Sequence, residues 1–160
     1  MLDTNVVVSG LLWGGHSRRL LELALDNTAA LYSSPVLVDE LSQTLHYAKL
    51  TKRIEALQTT AQALVAHYSA MVTLVVPQHV PRVIAQDADD DQVLACAVEA
   101  RAHFIASGDQ HLHSLGGNYQ GLRIVTPAEA AMKSFLRSAA TALGGALVRG
   151  ILGGMKRGRR

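Results

Sequence analysis

Asp89 to Asp109 reads DDDQVLACAVEARAHFIASGD. Val93, Leu94, Ala97 and Val98 recur at helical spacing behind leading acids, so the stretch predicts a helix over Asp89 to Arg101. His103 to Ala106 is a short apolar run and predicts a buried strand, with Ser107-Gly108-Asp109 as a turn at its carboxyl end. A helix feeding a buried strand that ends in an acid is the unit of a parallel sheet with crossover helices. In such sheets ligands gather at the carboxyl ends of the strands.

The same alternation extends outward from this stretch. Met1 to Asp3, continuing through Val6 to Val8, predicts a first strand, and Ser17 caps a predicted helix through Asn27. Ala30 to Ser33 predicts a second strand. Ser34-Pro35 then supplies a helix cap and a first-turn proline ahead of Leu37, Leu41 and Leu45. One helix is predicted over Lys52 to Met71, a strand at Val72 to Val76 and a loop over Pro77 to Ala88. After the turn at Ser107 come a short helix to Leu115, a Gly116-Gly117-Asn118 turn and a strand at Arg123 to Val125. Thr126 and Glu129 form a capping box ahead of a last helix. Strands separated by helices give an α/β fold with a central parallel sheet.

The chain has 160 residues and is 49% hydrophobic, enough for one domain with a substantial core and too much for intrinsic disorder. The net charge of +2 hides two opposite halves. Residues 1–129 hold 8 Lys/Arg against 13 Asp/Glu, a net of −5, and residues 130–160 hold 7 Lys/Arg and no acid, a net of +7. An acidic body suits a nucleic-acid ligand only where a metal inverts the local sign. Cys96 is alone, which leaves no intramolecular disulfide and no cysteine-based zinc site, and fits a cytoplasmic setting. Asp3 interrupts any signal sequence at the start, and the longest small-and-apolar stretch, Ala139 to Met155, is broken by Arg149 and five glycines. The expectation is a protein with no membrane association.

The carboxylates fall at particular places on this map. Asp3 ends the first strand, Asp109 follows a later one, Asp89 to Asp91 open a helix, and Glu40 borders the buried stripe of another. Favourable first-turn charge is the plainer account of Asp89 and Asp90, and solvation of Glu40. Four carboxylates brought within ~5 Å repel by roughly 3 kcal/mol per pair at an effective dielectric of about 20. Such a cluster needs protons or a cation, and hard oxygen ligands suit Mg²⁺ or Mn²⁺. The chemistry that follows is metal-assisted hydrolysis of a phosphate ester.

Leu2-Asp3-Thr4-Asn5, Ser34-Pro35 leading to Glu40-Leu41, Asp90-Asp91-Gln92-Val93-Leu94-Ala95 and Ser107-Gly108-Asp109 resemble the PIN domain in order and spacing. Leu11-Leu12-Trp13-Gly14-Gly15 and Val125-Thr126-Pro127-Ala128-Glu129 resemble its subfamily of VapC-like toxins from toxin–antitoxin systems. The resemblance covers about residues 1–133. It implies a three-layer α/β/α sandwich and Mg²⁺- or Mn²⁺-dependent endoribonuclease activity. For toxin members it also implies a homodimer inhibited by a cognate antitoxin protein. Carried over position by position, it makes Asp3, Glu40, Asp91 and Asp109 the catalytic and metal-binding acids, with Asp90 the runner-up to Asp91. Thr4, Asn5, Asp90 and Ser107 then support those carboxylates or touch phosphate.

Two positions depart from the family pattern. Only Met1 and Leu2 precede Asp3, which leaves a central strand short. The two readings are a start further upstream and a frayed sheet, and an N-terminal extension is expected to raise stability. His111 stands where the family often has an acid; it and His113 read as exposed helix residues. Trp13 could stack on a base, but packing in a core or an interface is the commoner use of tryptophan and is the reading preferred. Cys96 reads as a small core residue.

Other classes fit less well. A receiver-like phospho-acceptor wants a Lys on a late strand, and none lies near Arg123 to Val125. A haloacid-dehalogenase-like phosphatase wants an acid where Asn5 stands. A catalytically silent PIN-like module that binds RNA or protein is the alternative that spacing leaves open. The remaining segment, residues 134–160, reads as a basic Ala/Gly-rich extension, helical or poorly ordered. It is either an electrostatic arm for RNA or antitoxin, or an extension without a role.

Overall fold

The structure, a computed structural model, describes residues 1–132. In chain order its elements are α1 (Thr4–Leu12), α2 (Gly15–Leu25), β1 (Leu31–Ser33), α3 (Pro35–Leu45), α4 (Ala48–Ala56), α5 (Ala61–Met71) and β2 (Val72–Leu74). They continue as α6 (Ala88–Glu99), β3 (Phe104–Ala106), α7 (Gln110–His113), β4 (Asn118–Tyr119) and β5 (Leu122–Val125). A further helix opens at Pro127 under the predicted box: Thr126 N–H donates to Glu129 Oε2 at 2.8 Å and Glu129 N–H to Thr126 Oγ1 at 3.3 Å. The expected extension over 134–160 lies outside the described residues.

The strands form two ladders among the described residues. β1 pairs in parallel with β2, and β3 pairs in parallel with β5, which carries β4 antiparallel on its outer side. Met1–Asp3 runs parallel to β3 on its free side, bridged at Leu2 and Ala106. Ala106 N–H donates to Met1 O at 3.0 Å and Asp3 N–H to Ala106 O at 3.1 Å.

Successive strand residues enter opposite cores, as the period of two requires. Leu2, Ala106 and Val125 join Leu31 in one cluster, packed by α1 to α5 and by Ala130 and Ala131. Met1, Ile105, Leu122 and Ile124 join the other, packed by Val93, Leu94, Cys96 and Ala97 of α6 and by Leu112 of α7. Helices therefore cover both faces of the strands, which makes the fold an α/β sandwich. Cys96 is fully buried, as the sequence predicts.

Three local predictions are corrected. Val6, Val7 and Val8 do not prolong a strand: they lie inside α1, whose buried residues face all sides, so the helical period leaves no polar stripe to detect it by. The helix expected over Lys52 to Met71 is two, α4 and α5, separated where Gln58 takes a left-handed φ of 54°, and Thr60 Oγ1 caps α5 by accepting from Ala63 N–H at 3.1 Å. α2 begins at Gly15 rather than after Ser17, whose side chain is buried.

Candidate functional site

Asp3 is delivered by the end of the first extended segment and is buried at 6% exposure. Its carboxylate Oδ2 accepts a hydrogen bond from Ser107 Oγ at 2.8 Å, and the same hydroxyl oxygen accepts from Asp109 N–H at 2.9 Å. Ser107 thus ties the end of the first segment to the turn after β3. Burial raises the Asp3 carboxyl above its ordinary range; the Ser107 hydroxyl opposes this and the charge of Asp109 adds to it. The backbone N–H groups of Thr4 and Asn5 at the start of α1 act with the hydroxyl.

Glu40 reaches the same rim from α3. Thr4 Oγ1 donates to its Oε2 at 3.0 Å. Burial raises the Glu40 carboxyl, the Thr4 bond opposes the shift, and the charges of Asp89, Asp3 and Asp87 reinforce it. Thr4 and Ser107 thus each donate a hydroxyl hydrogen bond to a carboxylate of the rim, whereas Asn5 is exposed.

The helix opening at Ala88 decides between its acids. Asp91 is 2% exposed, but its Oδ1 accepts from Val83 N–H at 3.0 Å and Ile84 N–H at 2.8 Å, and Arg82 Nη1 lies 3.4 Å from its Oδ2. That carboxylate fastens the preceding loop. Asp90 points into the cluster instead: burial, then the charges of Asp109, Asp87 and Asp3, push its carboxyl up to about 7, against a smaller opposing effect of His111. Its Oδ2 is buried without a hydrogen-bond partner. Two backbone donors and an arginine thus occupy the oxygens of Asp91, the acid preferred from the sequence, while its runner-up Asp90 keeps an oxygen without a hydrogen bond.

Two residues that the sequence did not place in the cluster belong to its geometry. Asp87 caps α6, accepting from Asp89 N–H at 2.9 Å, and His111 opens α7 with Nδ1 3.7 Å from Asp90 Oδ2 and 3.5 Å from Asp109 Oδ1. Ligand atoms of Asp87, Asp90 and His111 lie within 4.8 Å of one another. The sequence signal for Asp87 is an acid separated by one residue from a run of three, at a helix cap. For His111 it is an imidazole two residues after a strand-end acid. His113, expected to be exposed, is half-buried and donates from Nε2 to the Ser107 carbonyl at 2.7 Å. Trp13 is 52% exposed at the far end of α1 from Asp3, so it neither packs in the core nor borders the acids.

These donors fit a hard divalent cation. Carboxylates from four segments converge, three of them sit above their ordinary range, and one buried oxygen has no hydrogen-bond partner. Among the described residues, no helix is long and apolar enough to cross a membrane. A sequence profile described as the PIN domain matches residues 1–111, a span that contains every residue of this cluster. No curated protein and no solved structure matches the chain.

Proposed function

This chain belongs to the PIN-domain family, whose members are typically nucleases, and on that premise we propose that it is an Mg²⁺- or Mn²⁺-dependent endoribonuclease, the toxin of a type II toxin–antitoxin module. The observation that carries the hydrolase reading is the buried Oδ2 of Asp90, which has no hydrogen-bond partner and lies within the field of the Asp3, Asp87 and Asp109 carboxylates. Such a group is stable when ionised only beside a cation.

In this reading Asp3, Glu40, Asp90 and Asp109 hold the cation, with Asp87 and His111 at its edge. A bound divalent ion supplies charge neutralisation for the scissile phosphate and makes a water nucleophilic near neutral pH. Thr4 holds Glu40, Ser107 holds Asp3 against Asp109, and Asp91 holds the loop that leads into Asp87. Each is a positioning residue, and none needs to touch the phosphate. RNA as substrate rests on the resemblance of the acidic motifs to the PIN domain, the antitoxin partner and the homodimer on that of residues 11–15 and 125–129 to toxin members, and the cytoplasmic setting on the lone Cys96.

The test is cleavage of single-stranded RNA by the full chain with and without divalent ions, beside Asp3→Asn and Asp109→Asn. The expected outcome is metal-dependent cleavage by the wild type and a loss of at least ~100-fold in each variant, the scale on which a removed charge-stabilising group acts. Equal cleavage by all three would mean that the activity lies elsewhere.

A further inference from the structure

We propose that His111 is a nitrogen ligand of this site, so that the protein selects Mn²⁺ over Mg²⁺. The inference rests on the cation-site reading above and adds to it the identity of the ion. Three observations meet at one point. The ligand atoms of Asp87, Asp90 and His111 lie within 4.8 Å of one another, the span of a single coordination sphere. Asp90 Oδ2 is buried and has no hydrogen-bond partner. The His111 ring is poised between two carboxylates, with Nδ1 3.7 Å from Asp90 Oδ2 and 3.5 Å from Asp109 Oδ1, both longer than the 2.7–3.2 Å of a hydrogen bond. The gap at Asp90 suits a shared ion better than a direct contact.

The backbone fixes this placement without help from the imidazole. Asp109 Oδ1 accepts from His111 N–H at 2.6 Å and so anchors the main chain at position 111. The side chain itself is about half exposed, at 47%. Asp87 holds Asp89 N–H through Oδ1 and keeps its other oxygen for the ion. Mg²⁺ demands near-ideal octahedral geometry and keeps its waters, whereas Mn²⁺ shares its taste for carboxylates but, as a first-row transition ion, gains more from one added nitrogen donor. An oxygen-only site would leave the choice between the two ions to their availability. One nitrogen donor biases it.

The competing account is an ion pair, in which a protonated His111 neutralises Asp90 and Asp109 and occupies the place of a metal. The two accounts predict opposite effects of removing the ring. Binding of Mn²⁺ and of Mg²⁺ is measured by calorimetry on the metal-free full chain for the wild type, His111→Ala and His111→Asp. The Mn²⁺ complex is also examined by pulsed paramagnetic resonance for coupling to a ¹⁴N nucleus. The wild type is expected to prefer Mn²⁺ and to show the nitrogen coupling. His111→Ala should lose the coupling and at least the ~10-fold in Mn²⁺ affinity that even an outer partner of a metal site contributes, with Mg²⁺ affected less. His111→Asp should bring the two affinities together. An Mn²⁺ complex without nitrogen coupling, or tighter binding of both ions by His111→Ala, would overturn the assignment. Nitrogen-coupled Mn²⁺ binding without RNA cleavage would leave it standing and overturn the nuclease reading instead. No divalent binding at all would overturn both.

Discussion

At the scale of residues, Asp90 carries a penalty in the metal-free protein. Its carboxyl titrates near 7 in the folded chain and near 3.9 when unfolded. Between those values the native state keeps a proton that the unfolded state has released, so stability falls as pH rises from about 4 to about 7. Asp3 and Glu40, also raised, act in the same direction. Thermal unfolding without metal should show this decline. Saturating Mn²⁺ should raise the midpoint more at pH 7.5 than at pH 5. Asp90→Asn should make the metal-free protein more stable at neutral pH while removing most of the gain from metal. A variant that loses stability and keeps the gain would contradict the placement of Asp90.

Asp91 gives the opposite expectation. Truncation to Ala strands the N–H groups of Val83 and Ile84, of which the Ile84 contact is fully buried. At about 1–3 kcal/mol for each unsatisfied buried group, Asp91→Ala should lose about 2–5 kcal/mol in chemical denaturation. The sequence could not separate the two acids. Adjacent residues on a helix point about 100° apart, and which one faces the rim depends on how α6 is seated against β1 and β3. What the sequence does show at this scale is Asp3, Glu40 and Asp109, each set at a strand end or a stripe edge that a surface acid has no reason to prefer.

Among the elements, legibility follows amphipathicity. α3 and α6 are visible because polar caps precede apolar stripes: Ser34 Oγ accepts from Leu37 N–H at 3.3 Å, and Leu37, Leu41 and Leu45 are buried. α1 is hidden because it is buried all round and begins in a β-branched run. The α4–α5 break is hidden because Gln58, unlike Gly or Asn, does not announce a left-handed residue. The packing of α1 on α2 has one exacting point. A Cβ at Gly10 would stand 2.8 Å from Ser17 O and 2.9 Å from Leu21 Cδ1. Because the first of these is backbone, Gly10→Ala should cost about 1–3 kcal/mol, read as a lower denaturation midpoint with an unchanged slope.

For the whole molecule, the charge division visible in the sequence acquires a location. Acids of the net −5 body are gathered at one rim, and in the proposed nuclease phosphate affinity there would depend on the cation. The sequence of 130–160, with 7 Lys/Arg and no acid, is the part of the chain whose charge would attract an RNA directly under that proposal. Deleting residues 139–160 removes Arg149, Lys156, Arg157, Arg159 and Arg160. If these contact single-stranded RNA, the slope of log affinity against log salt should fall by up to about 3.5. An unchanged slope would mean that the segment takes no part in binding.

The central claim is that a cation-dependent hydrolytic centre is built on Asp90, with Asp91 serving the fold. The most direct measurement compares Mn²⁺-dependent cleavage of single-stranded RNA by wild type, Asp90→Asn and Asp91→Asn, each scaled to its folded fraction. The account predicts that Asp90→Asn abolishes cleavage and that Asp91→Asn, which keeps an oxygen for the loop N–H groups, retains it. Cleavage surviving in Asp90→Asn and lost in Asp91→Asn would contradict it.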